Sequence, residues 1–391
     1  MATPEAEKRG RVSQKAGRFT ESVIREMTRE AIKHGAVNLS QGFPDFPAPE
    51  DLKRAAAAAI NDDVNQYAVT WGAQDFRVAI SDKTRWFLGL DYDPEREITV
   101  TCGSTEAMVA SLMAIVDPGD EVLVFDPFYE NYGPDAILCG ASLRHVPLPI
   151  GGALDLDRLA AAFSPKTKAI ILNSPANPTG RVFSRPELEQ IAELCRRFDA
   201  WAVTDEIYEH IRYEGPHVPI ASLPGMAERT ITISGASKTF AVTGWRIGWA
   251  IAPAGVTSAI RKVHDFLTVG APAPLMEAVA DALEQLPDGF YGQLACEYCG
   301  RRDLLHAMLS SHGFKAEKPA GAYYILTDYS AVSDLPDTQF AEWLTKEIGV
   351  TPVPGSSFFS TTDPARRMVR FAFCKREETL AEAARRLDAL P

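Results

Sequence analysis

Cysteine is scarce in this chain, with six in 391 residues, at positions 102, 139, 195, 296, 299 and 374. That is too few for a disulfide scaffold, and the expectation is reduced thiols. Cys296 and Cys299 form a lone C-x-x-C. Neither a second pair nor a nearby histidine completes a four-ligand metal site, so the pair reads as thiols on adjacent helical turns and no metal is expected. Long apolar runs are also missing: no segment could span a bilayer, and residues 1–19 carry charge without an apolar core. A cytoplasmic protein with no membrane contact is expected. Basic excess is absent too, since 40 Lys+Arg stand against 52 Asp+Glu for a net charge of -12. Such a balance repels phosphate backbones, which argues against a nucleic-acid partner. There is no internal repeat, and the only low-complexity tract is the five-alanine run at 55–59.

What is present is a chain with 46% hydrophobic residues, long enough for two domains. Residues 1–18 read as a flexible arm, and Ser22 to His34 as an amphipathic helix leading into a proline-rich turn. Glu50 to Ile60 reads as the first helix of the main domain. Between 98 and 252, six short apolar runs alternate with helical tracts: Ile98–Thr101, Glu121–Phe125, Ala169–Leu172, Trp201–Thr204, Thr230–Ser234 and Gly248–Ile251. This is the pattern of an α/β fold with a mainly parallel sheet covered by helices, whose ligands gather at the strand ends. One long helical tract, about 254–287, follows. Helical stretches near 290–312, 337–348 and 376–389 then enclose strand candidates at Gly321–Thr327 and Met368–Cys374, predicting a smaller α+β domain.

Several polar residues sit where such a fold places chemistry. The string Ser234-Gly-Ala-Ser-Lys-Thr-Phe-Ala-Val-Thr-Gly-Trp-Arg-Ile-Gly248 follows an apolar strand. Its small residues let the Lys238 amine enter a cleft, and Arg246 can return to pair with a phosphate, although an isolated lysine in a turn is more often simply solvated. Asp205 ends an apolar run and is either a strand-end carboxylate or a helix N-cap. Asn177 lies in a turn with two prolines and a glycine. Gly103-Ser-Thr opens a helix after a strand, an anion site with hydroxyls from Ser104 and Thr105, or merely a cap. Arg370 interrupts a β-like run and needs a partner. Tyr67 follows Asn65-Gln in a polar loop and could equally be a half-buried aromatic.

The Lys238 string resembles the lysine signature of class I aminotransferases at every defined position. The resemblance runs from about residue 19 to 388, with Gln41-Gly-Phe-Pro-Asp-Phe, Asn65-Gln-Tyr, Asn177-Pro-Thr-Gly, Asp205-Glu-Ile-Tyr and Val369-Arg-Phe in family order. In its details it resembles the branch holding kynurenine, glutamine-phenylpyruvate and methionine aminotransferases. The resemblance implies the fold type I architecture: a large domain at 51–289 with a seven-stranded, mainly parallel sheet, and a small domain from 19–50 and 290–391. It also implies pyridoxal 5'-phosphate as cofactor, joined to Lys238 as a Schiff base. Asp205 would then bind the ring nitrogen, Asn177 and Tyr208 the phenolic oxygen, and Phe128 would stack on the ring. Gly103, Ser104, Thr105, Ser237 and Arg246 would hold the phosphate, completed by Tyr67 from a second copy of the chain in a homodimer. Arg370 would grip the substrate carboxylate, with Asn177 and the Gly42 backbone beside it. One position departs from the pattern: many relatives carry serine three residues before the lysine, where this chain has Gly235, which makes Ser237 the hydroxyl candidate.

The implied reaction moves an amino group from an L-amino acid to a 2-oxo acid. The apolar surroundings of Phe266 and Leu267 favour neutral, aromatic or sulfur-containing substrates. The same frame could instead carry β-elimination on cysteine conjugates or other carbanion chemistry. A ligand-sensing regulator built on this domain would carry a DNA-binding region, and the acidic charge and the roughly 18 residues before the domain argue against one.

Overall fold

The alternating apolar runs fold as strand–helix units, and the computed structural model describes residues 13–391 apart from 288, 362 and 364–366. Residues 1–12 of the expected N-terminal arm lie outside the described residues; 13–18 are exposed and include one short 3-10 turn, Ala16–Arg18. In chain order the main strands are β1 (Ile98–Cys102), β2 (Glu121–Asp126), β3 (Ser142–Pro147), β4 (Thr167–Asn173), β5 (Trp201–Asp205), β6 (Thr230–Gly235) and β7 (Ile247–Ile251). They form one seven-stranded sheet in the order β1-β7-β6-β5-β4-β2-β3. The neighbours from β6 to β3 pair in parallel, while β7 runs antiparallel to both β1 and β6. This is the α/β architecture the sequence predicts.

The central strands read as unbroken apolar runs because both sheet faces are covered. Successive side chains point to opposite faces. On β4, Ile170 and Leu172 pack with Leu188 and Ile191 of the helix Arg185–Phe198. Ala169 and Ile171 face the other way, toward Met108 and Leu112 of the helix Ser104–Ile115 and Ile260 of the helix Ala254–Leu267. β3 is absent from the sequence prediction. It is an edge strand, Ser-Leu-Arg-His-Val-Pro, with only Val146 buried, so it lacks the apolar run that marks its neighbours. The predicted helical tract at 254–287 is two helices, Ala254–Leu267 and Ala273–Glu284, broken where Gly270 and Pro272 intervene.

A second sheet, β8 (Tyr324–Asp328), β9 (Val353–Pro354) and β10 (Met368–Ala372), is antiparallel in the order β9-β10-β8. Helices Phe290–Ser311 and Glu377–Leu387 pack with it in one core, which also takes in Ile207, Tyr208 and Ile211 from the loop after β5. Val37–Asn38 pairs in parallel with Val350–Thr351, drawing the N-terminal segment onto this C-terminal part. Cys296 and Cys299 both lie on the helix Phe290–Ser311. Among the described residues, no helix is long and apolar enough to cross a membrane, and no cluster of His, Cys, Asp or Glu is arranged to hold a metal ion.

Candidate active site

The carboxyl ends of β4, β5 and β6 open into a cleft of about 800 Å³, roofed by Gln41, Gly42 and Phe43 and by Tyr324 and Arg370 of the second sheet. Open α/β sheets gather their chemistry at such strand ends. Lys238 sits in the single helical turn Ala236–Thr239 directly after β6. Its Nζ donates to the Gly42 carbonyl at 3.3 Å and lies 5.8 Å and 5.7 Å from the ring centres of Tyr208 and Tyr323. Burial, helped by the charges of Arg246 and Arg370, pulls its amine from 10.5 down to about 8.

Asp205 ends β5. One carboxylate oxygen, Oδ2, accepts from the Tyr132 hydroxyl at 2.7 Å, while Oδ1 is buried without a hydrogen-bond partner. Burial raises its pKa against the pull of the Tyr132 hydroxyl and the Ile207 N–H. An orphaned buried carboxylate oxygen costs on the order of 1–3 kcal/mol, which a ligand N–H would relieve. At the end of β4, the Asn173 amide donates to the Asp205 carbonyl at 2.9 Å, and its Oδ1 accepts from the Asn177 N–H at 2.6 Å, so one side chain fixes both neighbours.

Arg370 on β10 is fully buried. Its Nη1 donates to Asn177 Oδ1 at 2.7 Å and its Nη2 to the Ser40 carbonyl, while Nε is buried and unpartnered. Its guanidinium lies 4.2 Å from the Tyr324 ring centre and 4.7 Å from that of Phe358. With Asn177 Oδ1 committed to Arg370, the amide nitrogen is the donor left for the cleft. The Tyr208 hydroxyl meets that of Tyr324 at 3.0 Å, and burial keeps it protonated by raising its pKa. A methyl group at Gly42 would overlap the Tyr324 hydroxyl, so the close approach of this backbone requires glycine.

The helix Ser104–Ile115 begins at the cleft with Gly103 at φ +81°, a conformation that favours glycine. Free N–H groups and the helix dipole make this end an anion site. Ser104, Thr105 and Ser237 line it. Arg246, at φ +58°, donates only weakly to Thr105 Oγ1 at 3.4 Å and to the Thr243 carbonyl at 3.0 Å, both neutral groups. A methyl group on Gly103 would strike the Arg246 guanidinium. At Gly235, the departure noted in the sequence, an added Cβ would lie 2.8 Å from the Ile247 carbonyl oxygen and 3.0 Å from Gly248 Cα, which leaves a serine no room without a backbone shift. Ser234 turns away to donate to buried Glu209 at 2.6 Å, so Ser237 is the hydroxyl on the cleft.

Two expected residues lie elsewhere. Phe128 does not line the cleft: it packs on His145, ring centres 4.9 Å apart, beside a neighbouring cavity of about 290 Å³. The next residue, Tyr129, in the loop after β2, lines the cleft instead. Tyr67, expected at the site of a second copy, is 86% exposed in the single chain and is not among the residues lining its own chain's cleft. Sequence reasoning missed Tyr129, Tyr132, Asn173 and Tyr324, whose aromatic or polar identity carries no spacing signal. It also missed Glu106, which an acidic residue on an otherwise apolar helix could have flagged.

With this geometry in view, the comparisons agree on one family. Residues 34–387 match the family model described as aminotransferase class I and II. The chain is 42% identical over 387 residues to a probable N-succinyldiaminopimelate aminotransferase of Mycobacterium tuberculosis (strain CDC 1551 / Oshkosh), covering 95% of this chain and 96% of the relative. It is 38% identical over 371 residues to the methionine aminotransferase of Escherichia coli (strain K12), covering 94% and 96%. The solved structure of the N-succinyldiaminopimelate aminotransferase from Mycobacterium tuberculosis superposes with a TM-score of 0.94 at 42% identity, covering 97% of this chain and 100% of that one.

Proposed function

The chain belongs to the class I and II aminotransferase family, and from that premise we propose which of its residues transfer an amino group from an amino acid to a 2-oxo acid. The observation that carries the assignment is the convergence of Lys238, Asp205 and Arg370 on one cleft. The family works with pyridoxal 5'-phosphate, and the residues present fit that cofactor. The orphaned Asp205 Oδ1 suits a protonated ring nitrogen, and the helix start at Gly103 with Ser104, Thr105, Ser237 and Arg246 suits the phosphate. The Asn177 amide and the Tyr208 hydroxyl are donors for the phenolic oxygen, and Tyr129 rather than Phe128 is the aromatic wall.

When bound, the cofactor supplies an aldehyde for the amino group and a ring that takes up the electron pair left by the departing α-proton. Lys238 is the base: an amine near 8 can take and return a proton close to neutral pH. Asp205 holds the ring-nitrogen proton in place, and the Tyr132 hydroxyl fixes its carboxylate. Arg370 offers its fork, including the unpartnered Nε, to the substrate carboxylate, while the Gly42 backbone closes over it.

Residues 51–289 form the large domain in this reading, and 19–50 with 290–391 the small one. The active unit is a homodimer in which Tyr67 reaches the partner's phosphate site. The exposure of Tyr67 at 86%, together with exposed Val69, Phe266 and Leu267, supports this face as the interface. A cytoplasmic location accords with six unpaired thiols. Leu267 and Tyr129 on the cleft wall favour neutral, aromatic or sulfur-containing side chains. A second reading rests on Arg25, which also lines the cleft: a long substrate ending in a carboxylate, as the name of the Mycobacterium tuberculosis relative implies for that protein.

Borohydride reduction followed by peptide mapping tests the assignment. The cofactor should be found on Lys238, and its attachment to another lysine would overturn the scheme. Single-turnover conversion with methionine, phenylalanine and N-succinyldiaminopimelate separates the two substrate readings. An Arg25→Ala variant that slows only the last would favour the second.

A further inference from the structure

His264 is fully buried at the end of the helix Ala254–Leu267, beside the proposed phosphate site but outside it. Its Nε2 lies 2.7 Å from the Thr70 carbonyl, and its Nδ1 2.8 Å from Glu106 Oε1. A carbonyl only accepts, so Nε2 carries a hydrogen. Glu106 also accepts from the Thr268 hydroxyl at 2.7 Å and from the Cys102 N–H at 2.6 Å. Two donors besides His264, the Thr268 hydroxyl and the Cys102 N–H, keep the buried carboxylate ionised, and an ionised carboxylate only accepts, so Nδ1 carries a hydrogen as well. The network therefore selects the imidazolium rather than either neutral tautomer.

Both partners tie this ion pair to functional segments. Glu106 lies in the first turn of the helix Ser104–Ile115 and fixes the Cys102 N–H just before Gly103. Thr70 belongs to the loop that carries Tyr67, three residues away. Arg261, one turn earlier on the His264 helix, adds a second hold on this loop, with its guanidinium 4.8 Å from the Trp71 ring centre.

We propose that His264 and Glu106 form a proton-held clamp that positions the phosphate-binding helix start against the Tyr67 loop, so that cofactor retention depends on His264 keeping its second proton. The inference rests on the cofactor assignment made above. Two effects act together. Without the proton, the Nδ1 lone pair faces the Glu106 carboxylate, which swings away and releases the Cys102 N–H. In addition, a carboxylate next to Ser104 and Thr105 repels a phosphate unless a cation cancels it, and His264 is that cation.

The surrounding charges agree. Burial pushes His264 down, but the hydrogen bond and charge of Glu106, the Thr70 carbonyl and Asp265 outweigh it and leave the imidazole above its ordinary value. Burial pushes Glu106 up, and the bonds from His264, Thr268 and Cys102 bring it below the usual carboxylate range. Cys102 also titrates beside the pair: burial, then the charge of Glu106, raises its thiol, against a smaller pull from Arg246. Because the His264 pKa is raised, the clamp holds to higher pH than an ordinary histidine would allow and fails as pH rises through it.

Pyridoxamine phosphate is a suitable probe, since it has no aldehyde and binds without a bond to Lys238. Its affinity, read by quenching of protein fluorescence, should weaken by at least ~10-fold between about pH 7 and about pH 10. Glu106→Gln removes the charge and, because one carboxylate oxygen becomes an N–H donor, at least one of the three accepted bonds; it should bind more weakly than wild type at neutral pH but with a distinctly flatter pH profile. His264→Gln leaves an uncompensated carboxylate, so it should lose at least ~10-fold at neutral pH, and adding Glu106→Gln should restore part of that loss by removing the buried charge. Equal pH profiles for wild type and Glu106→Gln, or no rescue in the double variant, would overturn the clamp. No binding of the probe by the wild type would instead overturn the cofactor assignment beneath it.

Discussion

Replacing Asp135 with asparagine should stabilise the protein at alkaline pH and do much less at acid pH. Asp135 lies on the helix Tyr132–Cys139, is 6% exposed, and has one carboxylate oxygen with no hydrogen-bond partner. Burial, and then the negative charge of nearby Asp205, lift its pKa from 3.8 to about 7. The folded state thus holds a proton that the unfolded chain has released between these two values. Stability falls as pH rises across that window and is fully reduced above it. At 1.36 kcal/mol per unit, the penalty reaches about 4 kcal/mol by pH 8 and is already about 1.5 kcal/mol at pH 5. Asparagine has nearly the same shape and never ionises, so its advantage over wild type should grow by roughly 2–3 kcal/mol from pH 5 to pH 8. Urea unfolding of both apoproteins at the two pH values measures the difference. A gap that stays constant with pH would show that Asp135 is not a buried acid titrating in the folded state.

Arg370→Leu removes a charge-assisted grip worth ~1.5–3 kcal/mol, so apparent affinity for amino acids should fall at least ~10-fold in steady-state assays. Amines without a carboxylate should be nearly unaffected, and an equal loss for them would make Arg370 purely architectural. Mixing Lys238→Ala with a Tyr67→Asp variant, under conditions that exchange subunits, should restore part of the activity, because a mixed dimer contains one site with neither defect. Proven exchange without recovery would mean that Tyr67 serves its own chain.

The sheet was legible where burial is two-sided. The runs at β4, β5 and β6 are apolar because helices cover both faces, whereas β3 at the edge keeps Arg144 and His145 and leaves no such mark. The strand-end residues Lys238, Asp205 and Asn177 were legible because their surrounding strings are distinctive. Phe128 and Tyr129 could not be told apart from sequence, since two adjacent aromatics in an irregular loop carry no periodicity that says which one enters the cleft. The His264–Glu106 pair was invisible for another reason: its members are 158 residues apart, and nothing near either residue in the chain points to the other.

The guanidinium of Arg370 is bonded to the Ser40 carbonyl across 330 residues, and Lys375 reaches the Phe43 carbonyl across 332. The roof of the cleft is therefore sewn shut from the far end of the chain. At about 5–20 residues per second, a ribosome needs on the order of 15–70 s to make that stretch after Ser40 has emerged. During that interval the large sheet can form as a unit, with Lys238 and Asp205 already set at its strand ends, but the segment from Ser40 to Phe43 has no second sheet to rest on. A nascent chain in this state presents a reactive amine in an open trough. Only the late arrival of β10, with Arg370, turns that trough into an enclosed cleft.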